Sequence, residues 1–329
     1  MIPILGAVKN FSEETLILIR QLGSDYVHFN RPPIPGDDIW SEEGCLWLRD
    51  YCAKFGLKIA GIENLPVEWF GKIMLGQPGR DELIEKYIQI LKNLGKAGIG
   101  YLGHGFAPNF VWRTSVGDPG RGGALSMSYH KGEEANGNAL VYNDILGDAR
   151  PTVEEYWDNY AYFLQAVLPY AESSGVHLMV HPSDPPLREV NGVKRIFVSI
   201  EDFLKGFELS NNSEYWGVNL CLGCFSQLGG QEEVLRAIRI FGEKKRIFNV
   251  HFRDVQGCGE DFRECFLDEG NCDPALVLKA LRDVGYQGFI MDDHSPKLIN
   301  DNKWGALGRA NSFGYLKGML QMLELLERK

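Results

Sequence analysis

The stretch HLMVHPSDPP, residues 177–186, reads as a short β-strand that ends on a histidine. Met179 and His181 fall on one face of such a strand and Val180 on the other, because strand side chains alternate with a period of two. Three later stretches repeat the design: WGVNLCLGC (216–224), IFNVHFRDV (247–255) and GFIMDDHSP (288–296). Asn219 shares a face with Cys221, Asn249 with His251 and Arg253, and Met291 with Asp293. The intervening Val180, Leu220, Val250 and Phe252 are apolar and suit packing against helices. In the last stretch Asp292 and Asp293 are adjacent, so only one of them can face the lumen. His181, Cys221, His251 and Asp293 are spaced 40, 30 and 42 residues apart. A (β/α) barrel advances by about that much per strand–helix unit when its loops are moderately long, and its strand C-termini converge on one face. Four metal-binding residue types at such ends make a candidate divalent-metal site.

The same rhythm extends outward. Ile4–Val8, Tyr26–Phe29, Lys58–Glu63 and Tyr101–Phe106 read as strands ahead of Leu178–His181, Trp216–Cys221, Phe248–Arg253 and Phe289–Asp293. Helices follow each strand, and several carry start signals. Asn10 with Glu13 and Thr152 with Glu155 have capping-box spacing, and Ser199 with Asp202 resembles one. Asp273-Pro274 reads as an N-cap before a proline in the first helical position. Gly23, Gly56, Gly98, Gly175 and Gly285 stand where helices should stop. Eight βα alternations predict an α/β fold, a single (β/α)8 TIM barrel forming one domain over residues 1–329. Between Phe106 and Val153 the alternation breaks for more than forty residues rich in Gly, Ser and Asn. An insertion of that length is usually a lid or an oligomer contact. Leaving strand 4 at its C-terminal end, the segment at about 107–150 should lie over the active face.

Hydrophobic residues make up 44% and charged residues 24%, an ordinary globular balance. The formal charge of −10 argues against a nucleic-acid partner, since phosphate binding needs a basic face. The start MIPILGAVKNF has no basic region before its apolar run, and no apolar stretch approaches about 18 residues, so neither export nor a membrane is expected and the protein reads as cytoplasmic. Seven cysteines without regular spacing fit a reducing compartment. Cys221 and Cys224 have the redox CxxC spacing, but the pair ends a strand and no second CxxC follows, which speaks against a thioredoxin-like reading.

Two imidazoles, one thiolate and one carboxylate neutralise a dication and leave positions for water or substrate oxygens. The thiolate leans towards zinc or iron. His294, next to Asp293, suits a general acid or base. Arg113, Arg253 and Arg309 are candidate clamps for a substrate carboxylate. His28 and His104 end strands and could line the pocket, His177 begins its strand and reads as structural, and His130 falls in the long insertion.

The motifs VHPSDPP, the strand-end cysteine of NLCLG, VHFRDV and the Asp293-His294 pair resemble, in that order, those of the mannonate dehydratases. The region ENLPVEWFGKIMLGQPGRDELIEKYIQILKNLGKAGI, the segment FAPNFVWRT and the final GALGRANSFGYLKGML are similar to theirs too, so the likeness covers most of residues 55–320. The resemblance implies a xylose-isomerase-like barrel with a divalent metal, usually manganese. It implies loss of water from D-mannonate, giving 2-dehydro-3-deoxy-D-gluconate in hexuronate catabolism. Carried over by motif, His181, Cys221, His251 and Asp293 would be metal ligands and His294 a proton-transfer residue. The chain departs from the pattern in three places. Trp304 stands where the family has a tyrosine thought to act in proton transfer, Gly105-Phe106 preceded by His104 replaces an Asn-Phe, and Ser183 replaces the first Asp of HPDDPP while Asp184 keeps the second. Tyr315, about three helical turns further on, is badly placed to substitute for the tyrosine. The implied partner is a small-molecule sugar acid, with a homo-oligomer as a further expectation. Two other readings keep the site: a metal-dependent sugar isomerase or epimerase on the same barrel, and a metal-binding paralogue without turnover.

Overall fold

The computed structural model describes residues 1–9, 12–35, 39–109, 111–134, 138–139 and 147–327, with only the backbone of Asn138, Ala139 and Glu327. Eight parallel strands close into a barrel: β1 (Ile2–Val8), β2 (Tyr26–Asn30), β3 (Lys58–Glu63), β4 (Tyr101–His104), β5 (His177–Val180), β6 (Trp216–Cys221), β7 (Ile247–Phe252) and β8 (Phe289–Asp292). Each pairs with its neighbours in chain order, and β1 closes the ring by pairing with both β2 and β8. All eight expected strands are present. The fourth is shorter than expected, because the chain leaves the sheet at Gly105-Phe106. His181 and Asp293 stand one residue beyond the ends of β5 and β8.

The helices α1 (Glu13–Leu22), α2 (Glu42–Ala53), α3 (Arg80–Lys96), α4 (Val153–Ser174), α5 (Ile200–Leu209), α6 (Leu222–Glu243), α7 (Pro274–Asp283) and α8 (Ala306–Glu327) surround the barrel. Helix α4 shows why such segments fold. Thr152 and Glu155 form a full capping box, Tyr156, Tyr160, Phe163, Leu164 and Val167 make a buried stripe at helical spacing, and Gly175 ends the helix at φ 69°. Ser199 caps α5, and Asp273 with Pro274 opens α7, as the sequence predicts. At α1 the expectation fails. The cap is Ser12, which accepts from the Thr15 amide at 3.2 Å, and not Asn10, which lies outside the described residues. Ser12 is an equally good capping type and stands directly before the amphipathic run.

The outward residues Val180, Leu220 and Val250 are fully buried in the layer between sheet and helices. Burying side chains of this kind contributes roughly 1.5–3 kcal/mol each. The expected insertion at 107–150 is not bare loop in its described part. Ser115–Pro119 and Leu125–His130 pair antiparallel, and the latter pairs with Asp261–Glu264, which in turn pairs with Val255–Cys258 from the segment after β7. This four-stranded sheet brings Glu264 to the C-terminal face of the barrel. Residues 110, 135–137 and 140–146 of the insertion lie outside the described residues. No described helix is long and apolar enough to cross a membrane.

Candidate metal centre

Strand register assembles the centre. Cys221 of β6 lies beside His251 of β7, and His251 beside Met291 of β8, so Asp293, two residues on, rises on the same inward face. One ligand atom from each of His181, Cys221 and His251 falls within 4.8 Å of the others, and all three residues are buried. The Nε2 of His181 is 3.2 Å from the Nδ1 of His251, which is 3.5 Å from the Asp293 carboxylate. Asp293 lines the cavity and Asp292 does not, which resolves the adjacent pair. Asp292 turns away to the Gly6 amide and to Arg309, 2.6 Å from its Nη1.

The donor set suits a metal in detail. The Nδ1 of His181 stands 2.7 Å from the Pro182 carbonyl, to which it donates if protonated, leaving Nε2 bare for coordination. His251 meets the cluster through Nδ1, while its Nε2 faces the Glu63 carboxylate at 3.1 Å. Burial opposes a charged imidazole at His251, yet Glu63 and Asp293 hold its pKa well above the usual value. A dication among these acidic groups would take over the role of that proton. Burial also opposes a Cys221 thiolate, but a hydrogen bond from Cys224 and the charges of Arg253 and His181 bring its pKa well below the ordinary thiol range. Cys221 ends β6 but also stands at the N-cap of α6, with Cys224 inside that helix. The CxxC pair therefore opens a helix, contrary to the expectation that it only ends a strand, and the helix start favours the Cys221 thiolate further. A Cβ on Gly223 would come within 2.5 Å of the Arg253 Nη1, so the Cys221-Leu222-Gly223 corner needs a glycine for the guanidinium to pass.

Glu63 escapes the sequence reading, although it obeys the same rule: it is a carboxylate at the C-terminal end of β3. Asn30 holds one of its oxygens at 3.1 Å and Asn219 the other at 3.2 Å, and Asn249 in turn donates to Asn219 at 3.1 Å. Burial works against its charge, but His251 and other nearby histidines draw its pKa down to about 2. Glu264 is also missed, because only the tertiary pairing of the extra sheet carries it to the site. It lies 2.8 Å from the Nδ1 of His294.

Two of the three expected clamps are engaged by buried carboxylates. Arg113 is fully buried, with Nη2 2.7 Å from Asp184 and 2.6 Å from Glu264. Arg253 is buried too, 2.6 Å from Asp184 and 2.9 Å from Asp293. Neither lines the cavity. They are internal counter-ions for three buried carboxylates, which explains why Asp184 is held well below the usual carboxylate range despite its burial. Asp184, Glu264 and His294 form a second compact group of metal-binding types. The two guanidiniums already neutralise its carboxylates, so a cation has little to gain there.

Arg309 does line the cavity, tied to Asp292 and the Gly6 carbonyl. Trp304 supports it: the Trp304 carbonyl accepts from the Arg309 Nε at 2.9 Å, and the guanidinium lies 5.2 Å from the indole centroid. His294 and His104 line the cavity as well. His104 packs against Phe70, Tyr160 and Phe163, and neither ring nitrogen has a hydrogen-bond partner among the described residues. Burial lowers its pKa to about 3, so it is neutral. His28 is buried in the barrel and does not line the cavity. His177 stacks between Tyr101 and Tyr215, a structural place. His130 bridges Asp118 and Asp261 in the extra sheet. Tyr315 is exposed on α8 and absent from the cavity lining.

A closed parallel barrel with imidazole, thiolate and carboxylate donors at its strand ends, beside a histidine in an open cavity, defines a class: barrel enzymes that act on small polar substrates through a bound divalent metal. The D-mannonate dehydratase (UxuA) family model matches residues 9–329, and the chain belongs to that family. It is accordingly a hydro-lyase, and the family implies a divalent metal. The mannonate dehydratase of Streptococcus agalactiae serotype Ia is 32% identical over 315 residues, covering 88% of each chain. The crystal structure of mannonate dehydratase from Streptococcus suis serotype 2 superposes with a TM-score of 0.84 at 28% identity, covering 96% of this chain and 93% of that one. A xylose isomerase domain protein from Planctomyces limnophilus shares the fold, with a TM-score of 0.62 at 14% identity over 97% of this chain and 96% of its own.

Proposed function

We propose that the chain removes water from D-mannonate to give 2-dehydro-3-deoxy-D-gluconate, using manganese held by His181, Cys221, His251 and Asp293. The observation that carries this reading is the convergence of those donors within a few ångströms beside the cavity-lining His294. A bound dication would stabilise the negative charge that develops when the proton next to the carboxylate leaves. The proton on C2 and the hydroxyl on C3 depart together as water, and the resulting enol becomes the 2-keto acid. With Glu264 beside its Nδ1, His294 is oriented to use Nε2 for taking or returning a proton. Arg309 and His104 contact the substrate from the cavity wall. Glu63 keeps the His251 ring oriented.

The thiolate in the ligand set favours zinc or iron on chemical grounds, and manganese rests on the family resemblance. The reading places the enzyme in the cytoplasm, supported by seven unpaired cysteines, of which Cys221 must stay reduced to bind metal. Purified protein incubated with D-mannonate and manganese should form a 2-keto-3-deoxy acid. Absence of product above a metal-free control, with zinc and iron tried in parallel, would sink this assignment.

A further inference from the structure

A sugar acid needs a cation for its carboxylate, and the arginines expected to supply one are engaged elsewhere. Arg113 and Arg253 are held by buried carboxylates and do not line the cavity, and Arg309 is paired with Asp292. The cavity carries another cation that the sequence reading passes over. Lys9 follows directly on β1, lines the cavity, is exposed, and makes no ion pair or hydrogen bond with any described residue. It lies within electrostatic range of Glu63 and Asp293 on one side and of Arg31 and Arg309 on the other.

We propose that Lys9 binds the carboxylate of the sugar-acid substrate, an assignment that rests on reading the chain as a sugar-acid lyase. The charge balance supports it. The Cys221 thiolate, Asp293 and Glu63 carry one more negative charge than a dication neutralises. A substrate carboxylate brings another, and the free ammonium of Lys9 with the neighbouring Arg31 offsets both. Arg31 and Arg309 place like charges near Lys9, so an anion set among them relieves a repulsion already built into the site. Geometry agrees in kind. Ala7, the β1 residue that lines the cavity, is small, and Lys9, just past the strand, is the next lining residue and carries a long side chain. An ammonium is a compact point charge with three donors, able to meet a carboxylate without the fixed fork of an arginine.

The test is binding by titration calorimetry to the manganese-loaded protein carrying His294→Gln, which keeps the metal and all but stops turnover. The probes are D-mannonate, D-gluconate and the neutral D-mannonamide, with Lys9 unchanged, Lys9→Met and Lys9→Arg. A charge-assisted contact of this kind corresponds to about 10–100-fold in affinity. Lys9→Met should therefore weaken D-mannonate by that factor, leave D-mannonamide within about twofold, and keep its melting temperature, while Lys9→Arg recovers most of the loss. Equal losses for acid and amide, or none for the acid, overturn the assignment. So does a protein with Lys9 unchanged that binds neither acid more tightly than the amide. Tight acid binding with the expected Lys9 dependence but no 2-keto acid product from the protein with His294 intact would instead reject the proposed reaction and leave the carboxylate site standing.

Discussion

Replacing Arg113 with methionine separates a structural arginine from a substrate clamp. In the wild-type protein Asp184, Glu264 and Asp293 are all buried and share two guanidiniums, Arg113 and Arg253. Methionine fills much the same volume but leaves three carboxylates to Arg253. Removing one partner of a buried pair costs roughly 3–5 kcal/mol, because the remaining charge is stranded in a poor solvent. Unfolding entropies near 2.1 cal/mol/K per residue convert that penalty, for a chain of 329 residues, into a melting temperature lower by about 4–7 °C. Differential scanning calorimetry of wild type and Arg113→Met reads this shift, and calorimetric titration with D-mannonate well below the transition, both proteins also carrying His294→Gln to stop turnover, reads the site. The expected pattern is a clear loss of stability with acid affinity changed by less than about threefold. An unchanged melting temperature together with a tenfold or greater loss of acid binding would refute the reasoning and restore Arg113 as a clamp.

Three further outcomes are expected. Cys221→Ser should weaken divalent-metal binding by more than about tenfold and shift preference from zinc towards manganese, since oxygen is the harder donor; competition with a chromophoric chelator measures both, and unaltered affinity would remove Cys221 from the ligand set. His294→Gln should lower kcat by roughly 10²–10⁴ while metal content, followed by atomic absorption, stays constant, as befits a proton-transfer group; full activity would exclude it. At His130, burial opposes the charged ring, but hydrogen bonds to Asp118 and Asp261 outweigh it and raise the pKa above the ordinary 6.5. A raised folded-state pKa gives stabilisation that is fully present below the unfolded value and is lost as pH climbs through the folded one. Hydrogen exchange in Leu125–His130 and Asp261–Glu264 should therefore accelerate above about pH 6.5 beyond its intrinsic pH dependence, and His130→Gln should abolish that extra slope.

Local chemistry explains which parts of the molecule are readable along the chain. Strand periodicity, the capping box at Thr152, the Asp273-Pro274 start and the glycine stops each depend on a few consecutive residues, so the strands and the helix starts and stops they mark stand where expected. The four candidate ligands are readable for a related reason: in a parallel barrel every strand end points to the same face. Glu63 obeys that rule and was legible in principle. Lys9 lies one residue beyond β1, and nothing in its neighbours distinguishes it from a surface lysine.

By itself, then, the order of residues determined the barrel and the convergence of His181, Cys221, His251 and Asp293, because both follow from period-two alternation and repeat spacing. Tertiary structure alone decided the fate of the charges around them. Arg113, Arg253 and Glu264 are distant in sequence from Asp184; Arg253 comes in just past β7 and Glu264 on the extra sheet, and only the folded chain joins them in one buried network. Whether an arginine serves a substrate or a neighbouring carboxylate depends on which surface its guanidinium reaches. That is set by packing between segments some seventy to a hundred and fifty residues apart, and no local pattern encodes it.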